Sequence, residues 1–235
     1  MANLAIIPAR GGSKRIPRKN IKFFFGRPIM ARAIEAAINS RLFDEIMVST
    51  EDPEIAEIAQ QYGAKVPFIR TNKNADDVAG TDDVILEVLA CYENMNKQFD
   101  RACCIYPATP LISVERLIEA YNKLLQGNYD TVFPVLRYGH PVQRALKNEN
   151  NKIQMVWPEY KDARTQDLEP YFHDAGQYYW LDISKFKIHK QLFSLNSGYI
   201  ELSELEAQDI DNMSDWNLAE LKYIRNKESE SEKRA

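Results

Sequence analysis

The chain has 235 residues, is 45% hydrophobic and 27% charged, and carries a formal net charge of −4. This composition excludes a disordered or fibrous chain and argues against bulk nucleic-acid binding, which needs an overall basic surface, so no nucleic-acid partner is expected. Three cysteines, Cys91, Cys103 and Cys104, make no disulfide framework and no C-x-x-C pair.

Cys103 and Cys104 sit side by side in an apolar run and read as small core residues. Reduced thiols, no apolar leader before Leu4 and no run of transmembrane length lead us to expect a cytoplasmic protein with no membrane partner. The length suits one sizeable α/β domain.

The first element is the apolar run Leu4-Ala5-Ile6-Ile7, a strand buried on both faces. Pro8 ends its ladder by removing a donor. Gly11 and Gly12 allow a tight loop whose backbone N–H groups can converge on an anion. Arg10, Lys14, Arg15, Arg18 and Lys19 place cations beside that loop. Neither the Walker A spacing nor G-x-G-x-x-G is present. A basic run is ordinarily a solvated loop. This one follows a buried strand, where open α/β sheets bind ligands, so a nucleoside triphosphate is expected.

The spacing of Ile29, Ala33, Ile34, Ala37 and Ile38 predicts a helix from Pro28 to Ser40. Glu45 to Ser49 is the second strand. Thr50 to Pro53 turns the chain into a helix carrying Ile55, Ala56, Ile58 and Ala59, ended by Gly63. A third strand is expected from Lys65 to Arg70, then a loop from Thr71 to Gly80. The next helix takes Thr81 as N-cap, Asp82 and Asp83 in its first turn, and Val84, Ile85, Val88 and Leu89 as its apolar face. Arg101 to Tyr106 is a buried strand closed by Pro107. Ser113 caps an amphipathic helix with Leu117, Ile118, Tyr121, Leu124 and Leu125, and Thr131 to Leu136 is a fifth strand. The alternation implies a mostly parallel, Rossmann-like α/β sheet with helices on both faces.

The pattern breaks between Tyr138 and Phe172, where no helical period holds and an Asn-Glu-Asn-Asn turn precedes a short strand at Ile153 to Trp157. We read 138–172 as a small antiparallel excursion and a dimerisation arm. Gln177 to Leu181 resumes the sheet, Tyr199 to Leu202 is an edge strand, and Ser214 to Arg225 is a closing helix with Trp216, Ala219 and Tyr223 on one face. Residues 1–225 thus form a single domain. Residues 226–235 are charged and nearly devoid of apolar side chains, and are expected to be disordered.

Three groups could carry chemistry. Asp209 and Asp211 flank Ile210; if extended, both carboxylates share a face and suit Mg²⁺ bound to substrate phosphates, or they are simply a turn into the last helix. Arg70 to Thr81 is a nucleotide-holding loop or a plain surface loop. Arg164, His173, Gln177 and Tyr179 surround a Gly176 turn. That mixture suits a sugar acid, with Arg164 for its carboxylate, or it is a hairpin with ordinary surface side chains. His140 and His189 are isolated and suggest no metal.

Together these residues resemble a known family. The opening I-I-P-A-R-G-G-S-K-R-I-P-R-K-N is similar to the signature of the CMP-sialic acid synthetase family, cytidylyltransferases that activate nine-carbon sugar acids. Val48-Ser49-Thr50-Glu51-Asp52 resembles its second strand and turn. Asp209-Ile210-Asp211 followed by Asp215-Trp216 resembles its metal-binding segment. The resemblance runs from Leu4 to about Tyr223 and implies a nucleotidyltransferase fold. By it, Arg10, Lys19, Ser13 and the Gly11 and Gly12 amides would contact the CTP triphosphate. Asn20, Arg70 and Thr81 would hold the cytidine, and Asp209 and Asp211 would bind Mg²⁺. It also implies a homodimer. Arg10, Lys19 and Asp211 would carry catalysis, through charge neutralisation and the metal.

Two runs depart from the sialic acid pattern, both where the sugar should sit. Tyr106-Pro107-Ala108-Thr109-Pro110 replaces Q-P-T-S-P, and Phe172-His173-Asp174-Ala175-Gly176-Gln177-Tyr178-Tyr179 replaces a run like F-R-P-N-G-A-I-Y. The run Arg164 to Gln177 resembles the branch that activates pseudaminic acid. The expected sugar set is therefore Tyr106, Arg164, His173, Gln177 and Tyr179. The alternatives are a cytidylyltransferase for N-acetylneuraminic or legionaminic acid, and a non-catalytic nucleotide binder on the same scaffold.

Overall fold

The computed structural model describes residues 2–74 and 80–232. Strand β1 (Asn3–Pro8) is buried along Leu4 to Ile7. After the basic loop, β2 (Phe23–Phe24) and β3 (Arg27–Pro28) make a small ribbon leading into helix α1 (Ile29–Ser40). Strand β4 (Glu45–Ser49) follows, then α2 (Pro53–Gln61). Pro53 occupies the first turn of α2, where its missing N–H costs nothing, and the Asp52 carboxylate accepts the N–H groups of Glu54 and Ile55 at 3.0 and 3.1 Å.

The third strand expected from Lys65 to Arg70 does not form. Lys65 alone bridges Met47 of β4, and Pro67 has no N–H with which to extend a ladder. Helix α3 (Thr81–Asn94) is capped by Gly80 rather than Thr81, and the Gly80 N–H donates to the Asp83 carboxylate at 3.2 Å. Of the loop before it, 75–79 lie outside the described residues.

Strand β5 (Arg101–Ile105) leads to α4 (Val114–Gly127), capped as expected by Ser113, whose hydroxyl accepts the Arg116 N–H at 3.3 Å. Strand β6 (Thr131–Arg137) is followed by the hairpin β7 (Leu146–Glu149) and β8 (Lys152–Met155). Its two turn residues, Asn150 and Asn151, both have positive φ (51° and 59°), the geometry that matches strand twist. Then come β9 (Phe172–Asp174), β10 (Tyr178–Asp182), α5 (Ile183–His189), β11 (Ser197–Leu202) and α6 (Met213–Glu232).

Helix α6 continues to Glu232, so the segment expected to be disordered from 226 is helical as far as it is described; 233–235 lie outside the described residues. Low hydrophobicity left this segment nothing to bury. Its Lys and Glu residues are nevertheless good helix formers, and the Ser229 and Ser231 hydroxyls bond to carbonyls one turn back.

The main sheet has the order β11-β6-β10-β5-β1-β4, with β9 also against β6. All of the ordered path is parallel except β10, which runs opposite to both β5 and β6. Side-chain alternation divides the interior into two cores. Ala5, Ile7, Cys103, Ile105, Tyr178 and Trp180 face α1, α2 and α4. Leu4, Ile6, Ala102, Cys104, Tyr179 and Leu181 face α3 and α5. The adjacent cysteines thus lie one in each core, as small buried residues.

A third cluster matters most for the site. Ile16 from the basic loop, Phe24 and Ile29 pack against Ile210, Trp216 and Ala219. It brings the two ends of the chain together over the carboxyl end of β1.

Candidate active site

A cleft of about 400 Å³ opens at the carboxyl ends of β1 and β5. Strand β1 is where the chain order reverses, with β4 on one side and β5 on the other, the position at which open α/β sheets bind ligands. A larger groove of about 640 Å³ between α1, α4 and α6 contains none of the expected site residues.

One wall of the cleft is basic: Arg10, Arg15 and Lys19, with Ser13. Opposite stand Asp209 and Asp211. Ile210 between them is buried in the third cluster, 1% exposed, and alternation turns both carboxylates toward the cleft. Arg15 donates to Asp211 at 2.6 Å, and the Lys19 ammonium donates to the Ile210 main-chain oxygen at 2.6 Å. Burial lowers the pKa of Lys19, against the pull of the two carboxylates. Burial, then the neighbouring Asp211 charge, raises the pKa of Asp209. A carboxylate held in this way gains from any cation placed beside it.

Asn20, Arg70, Thr81 and Tyr106 also line the cleft. Asn20 is buried and donates to the Arg10 carbonyl at 2.9 Å, fixing the loop's first turn. Arg70 is 5% exposed and donates through Nε to the Ser49 hydroxyl at 3.0 Å and to the Ser49 carbonyl; burial lowers its pKa. Thr81, released from capping, shares a 2.8 Å hydrogen bond with the Tyr106 hydroxyl.

The glycine pair sits differently from expectation. The Gly11 N–H donates to the Glu51 carboxylate at 2.7 Å, and neither Gly11 nor Gly12 lines the cleft. Arg18, expected among the phosphate cations, is held by Asp52 and Glu54 and clamps the loop to α2.

The expected sugar set is not assembled. Only Tyr106 lines the cleft. Arg164 lies on the excursion, 72% exposed, paired with Asp167 at 2.7 Å. His173 is exposed on β9, its ring 4.9 Å from that of Tyr138. Tyr179 faces the α3 side of the sheet and donates to Asp174. Gln177 is buried, and its amide donates to the Glu206 carbonyl at 2.6 Å. For Tyr179 the physical cause is the sheet itself: β10 inserts between β5 and β6, which buries its side chains in the two cores, whereas Arg164 and His173 lie outside β10.

Sequence reading missed the clamps on the acidic segment. Gln177 holds the Glu206 carbonyl, Lys222 holds that of Ala207 at 2.8 Å, and Lys19 that of Ile210. It also did not single out Arg15 as the partner of Asp211. The partners are far apart in the chain, so no local spacing signals them. The one legible signal was the polar-apolar-polar alternation of Asp209-Ile210-Asp211.

The cytidylyltransferase family profile matches residues 4–229. A protein of Campylobacter jejuni subsp. jejuni described as pseudaminic acid cytidylyltransferase is 40% identical over 230 residues, 97% of this chain and 99% of that one. A protein of Legionella pneumophila described as CMP-N,N'-diacetyllegionaminic acid synthase is 32% identical, over 97% and 99% of the two chains. Among solved structures, a CMP:2-keto-3-deoxy-manno-octonic acid synthetase in complex with CTP superposes with a TM-score of 0.70 over 97% of this chain and 100% of that one; at 16% identity this speaks to the fold alone. A family profile over nearly the whole sequence, relatives of matching length and a shared fold agree, and the chain belongs to the cytidylyltransferase family.

Proposed function

We propose that this enzyme transfers CMP from CTP to the anomeric hydroxyl of pseudaminic acid and releases pyrophosphate. The observation that carries the reaction class is the single cleft that sets Arg10, Arg15 and Lys19 against Asp209 and Asp211 at the carboxyl end of β1. The choice of sugar acid draws on the 40% identity to the Campylobacter jejuni relative. In such a transfer the attacking hydroxyl lies in line with the departing pyrophosphate, and the protein's tasks are positioning and charge neutralisation. Arg10, Arg15 and Lys19 neutralise the triphosphate, while Asn20 and Arg70 fix the other end of the nucleotide.

The acidic pair fits Mg²⁺. Among the described residues no cluster of three or more His, Cys, Asp or Glu side chains forms a metal cage. Two carboxylates on one wall suit an ion that keeps its waters and bonds to substrate phosphates. Asp209 and Asp211 would hold it, and bound there it would supply charge for the triphosphate and the departing pyrophosphate.

We further propose a homodimer. The β7–β8 hairpin exposes Leu146 and Ile153, 62% and 63% accessible, with Trp157 just beyond it in sequence. A lone two-stranded hairpin is marginal in water, so this one is best explained by a second copy covering it. A cytoplasmic location fits an enzyme that consumes CTP. Among the described residues no helix is long and apolar enough to cross a membrane.

The test is pyrophosphate release from CTP with pseudaminic, N,N'-diacetyllegionaminic or N-acetylneuraminic acid, each with and without EDTA. The proposal expects release with pseudaminic acid, at least about a hundredfold preference in kcat/KM over N-acetylneuraminic acid, and abolition by EDTA. Release from none of these acids would overturn the catalytic reading. Analytical ultracentrifugation of the parent and Ile153→Glu tests the dimer.

A further inference from the structure

Between β11 and α6 the chain has no strand or helix of its own, yet its backbone is held along its length. The Gln177 amide donates to the Glu206 carbonyl at 2.6 Å, and the Lys222 ammonium, from α6, to the Ala207 carbonyl at 2.8 Å. Lys19 takes the Ile210 carbonyl, and the Asp215 carboxylate accepts the N–H groups of Asp211 and Asn212 at 2.9 and 3.0 Å. The Glu206 side chain is tied as well, accepting from Arg116 Nε at 2.8 Å and from the Ser203 N–H at 2.9 Å.

Gln177 is the most buried of these donors, 2% exposed, and its own carbonyl accepts the Tyr106 N–H at 2.8 Å. The residue before it, Gly176, has a φ of +62°, and its N–H donates to the Asp174 carboxylate at 2.9 Å. This turn lies against Asp209: a Cβ on Gly176 would stand 3.5 Å from Asp209 Cγ. The chain entering β10 thus meets the acidic segment at the Glu206 carbonyl and again at the Asp209 carboxylate, while its main chain is bonded to the residue that follows β5.

Asp209 and Asp211 share a face only while the backbone between them stays extended. Their charges repel, so a free backbone would let them part. Held carbonyls keep it from rotating, and the ordering is complete before a ligand arrives. We propose that Gln177 and Lys222 are positioning residues for a divalent cation: through the Glu206 and Ala207 carbonyls they hold Asp209 and Asp211 together on the cleft wall. The proposal rests on the metal reading above, and it gives Gln177 this task in place of the sugar contact expected of it. Lys222 carries the wrong charge to attract a cation and reaches main chain, not carboxylate, so what it offers a metal is position.

The experiment titrates the metal-free chain with Mn²⁺, a paramagnetic divalent cation, without CTP, and reads free Mn²⁺ by electron paramagnetic resonance. The chains are the parent, Gln177→Leu, Lys222→Met and Asp209→Asn. Asp209→Asn should weaken binding by at least about tenfold, and Gln177→Leu and Lys222→Met by about fivefold or more each. Lys222→Met removes a positive charge, which through electrostatics alone would tighten cation binding, so weaker binding reports lost position. At saturating Mg²⁺ the KM of Gln177→Leu for pseudaminic acid should stay within about twofold of the parent's.

Clamp variants that fold and bind Mn²⁺ as the parent does, while Asp209→Asn does not, overturn the inference and leave the metal reading standing. Unchanged binding in Asp209→Asn overturns the metal reading itself. A raised KM for pseudaminic acid with Mn²⁺ affinity intact returns Gln177 to the sugar and overturns its role here. If Gln177→Leu fails to fold, Lys222→Met, at the less buried clamp, decides.

Discussion

The Lys19 ammonium and the Ile210 main-chain oxygen lie 2.6 Å apart, a bond that joins residues 191 positions apart in the chain. It ties the basic loop to the acidic segment, so one cleft wall cannot shift without the other. Lys19→Met keeps the stem and removes both the donor and a triphosphate cation. A charge-assisted hydrogen bond is worth about 1.5–3 kcal/mol, so kcat/KM for CTP should fall at least about tenfold. Steady-state pyrophosphate release measures this, and an unchanged kcat/KM would count against the assignment.

Asp209 should make stability depend on pH in the metal-free chain. Burial first, then Asp211, raises its folded-state pKa, so the folded state favours the proton. Stability is then lost as pH climbs from the ordinary carboxylate value of about 3.9 through the raised folded value. Asp209→Asn should melt at a higher temperature than the parent at pH 7 without metal, and the gain should vanish near pH 3. Mg²⁺ should raise the parent's melting temperature more than the variant's. Thermal melts at both pH values, with and without Mg²⁺, check each part.

A side chain at position 11 has no room. A Cβ on Gly11 would stand 2.4 Å from Asp52 Oδ2, and Asp52 is held by Arg18 while it caps α2. Gly11→Ala should cost about 1–3 kcal/mol and weaken CTP binding as the loop is displaced. Gly12→Ala is the control, because its Cβ meets nothing within 4 Å. Urea midpoints and calorimetric titration with CTP separate the two variants; equal behaviour would refute the steric argument.

Glu45 is buried, 5% exposed, and accepts from Lys65 at 2.7 Å, Lys97 at 2.6 Å and Tyr92 at 3.0 Å. Burial alone would raise its pKa, but these three donors together outweigh it and hold the carboxyl below its ordinary value. The contribution is present at neutral pH and is lost as pH falls below about 4.3 and through the lowered folded value. Glu45→Gln should destabilise by about 1–3 kcal/mol at pH 7, and the difference from the parent should narrow at pH 3. Urea titrations at the two pH values read this directly.

The sequence by itself determined what depends on near neighbours. The apolar run of β1, the helical spacing of α1, the Ser113 cap and the Asn150-Asn151 turn are all set by residues within a few positions of one another. Their hydrogen bonds close locally, which makes them legible. The Lys65 to Arg70 strand does not form because Pro67 cannot donate to a ladder. Thr81 was misplaced as a cap because a neighbour in sequence, Gly80, and a partner in space, Tyr106, divide the work between them.

The tertiary structure decided which side chains share the cleft. Asp209 and Asp211 face it because Ile210 is drawn into a cluster with Ile16 and Trp216, a contact between the two ends of the chain. Tyr179 and Gln177 were expected at the sugar, but β10 inserts antiparallel between β5 and β6 and buries them, one in a core and one against the Glu206 carbonyl. In a strand, alternation gives two faces, and only the neighbouring strands and helices settle which face is solvent, core or cleft. Those neighbours come from distant parts of the sequence, so the roles they assign appear only once the chain has folded.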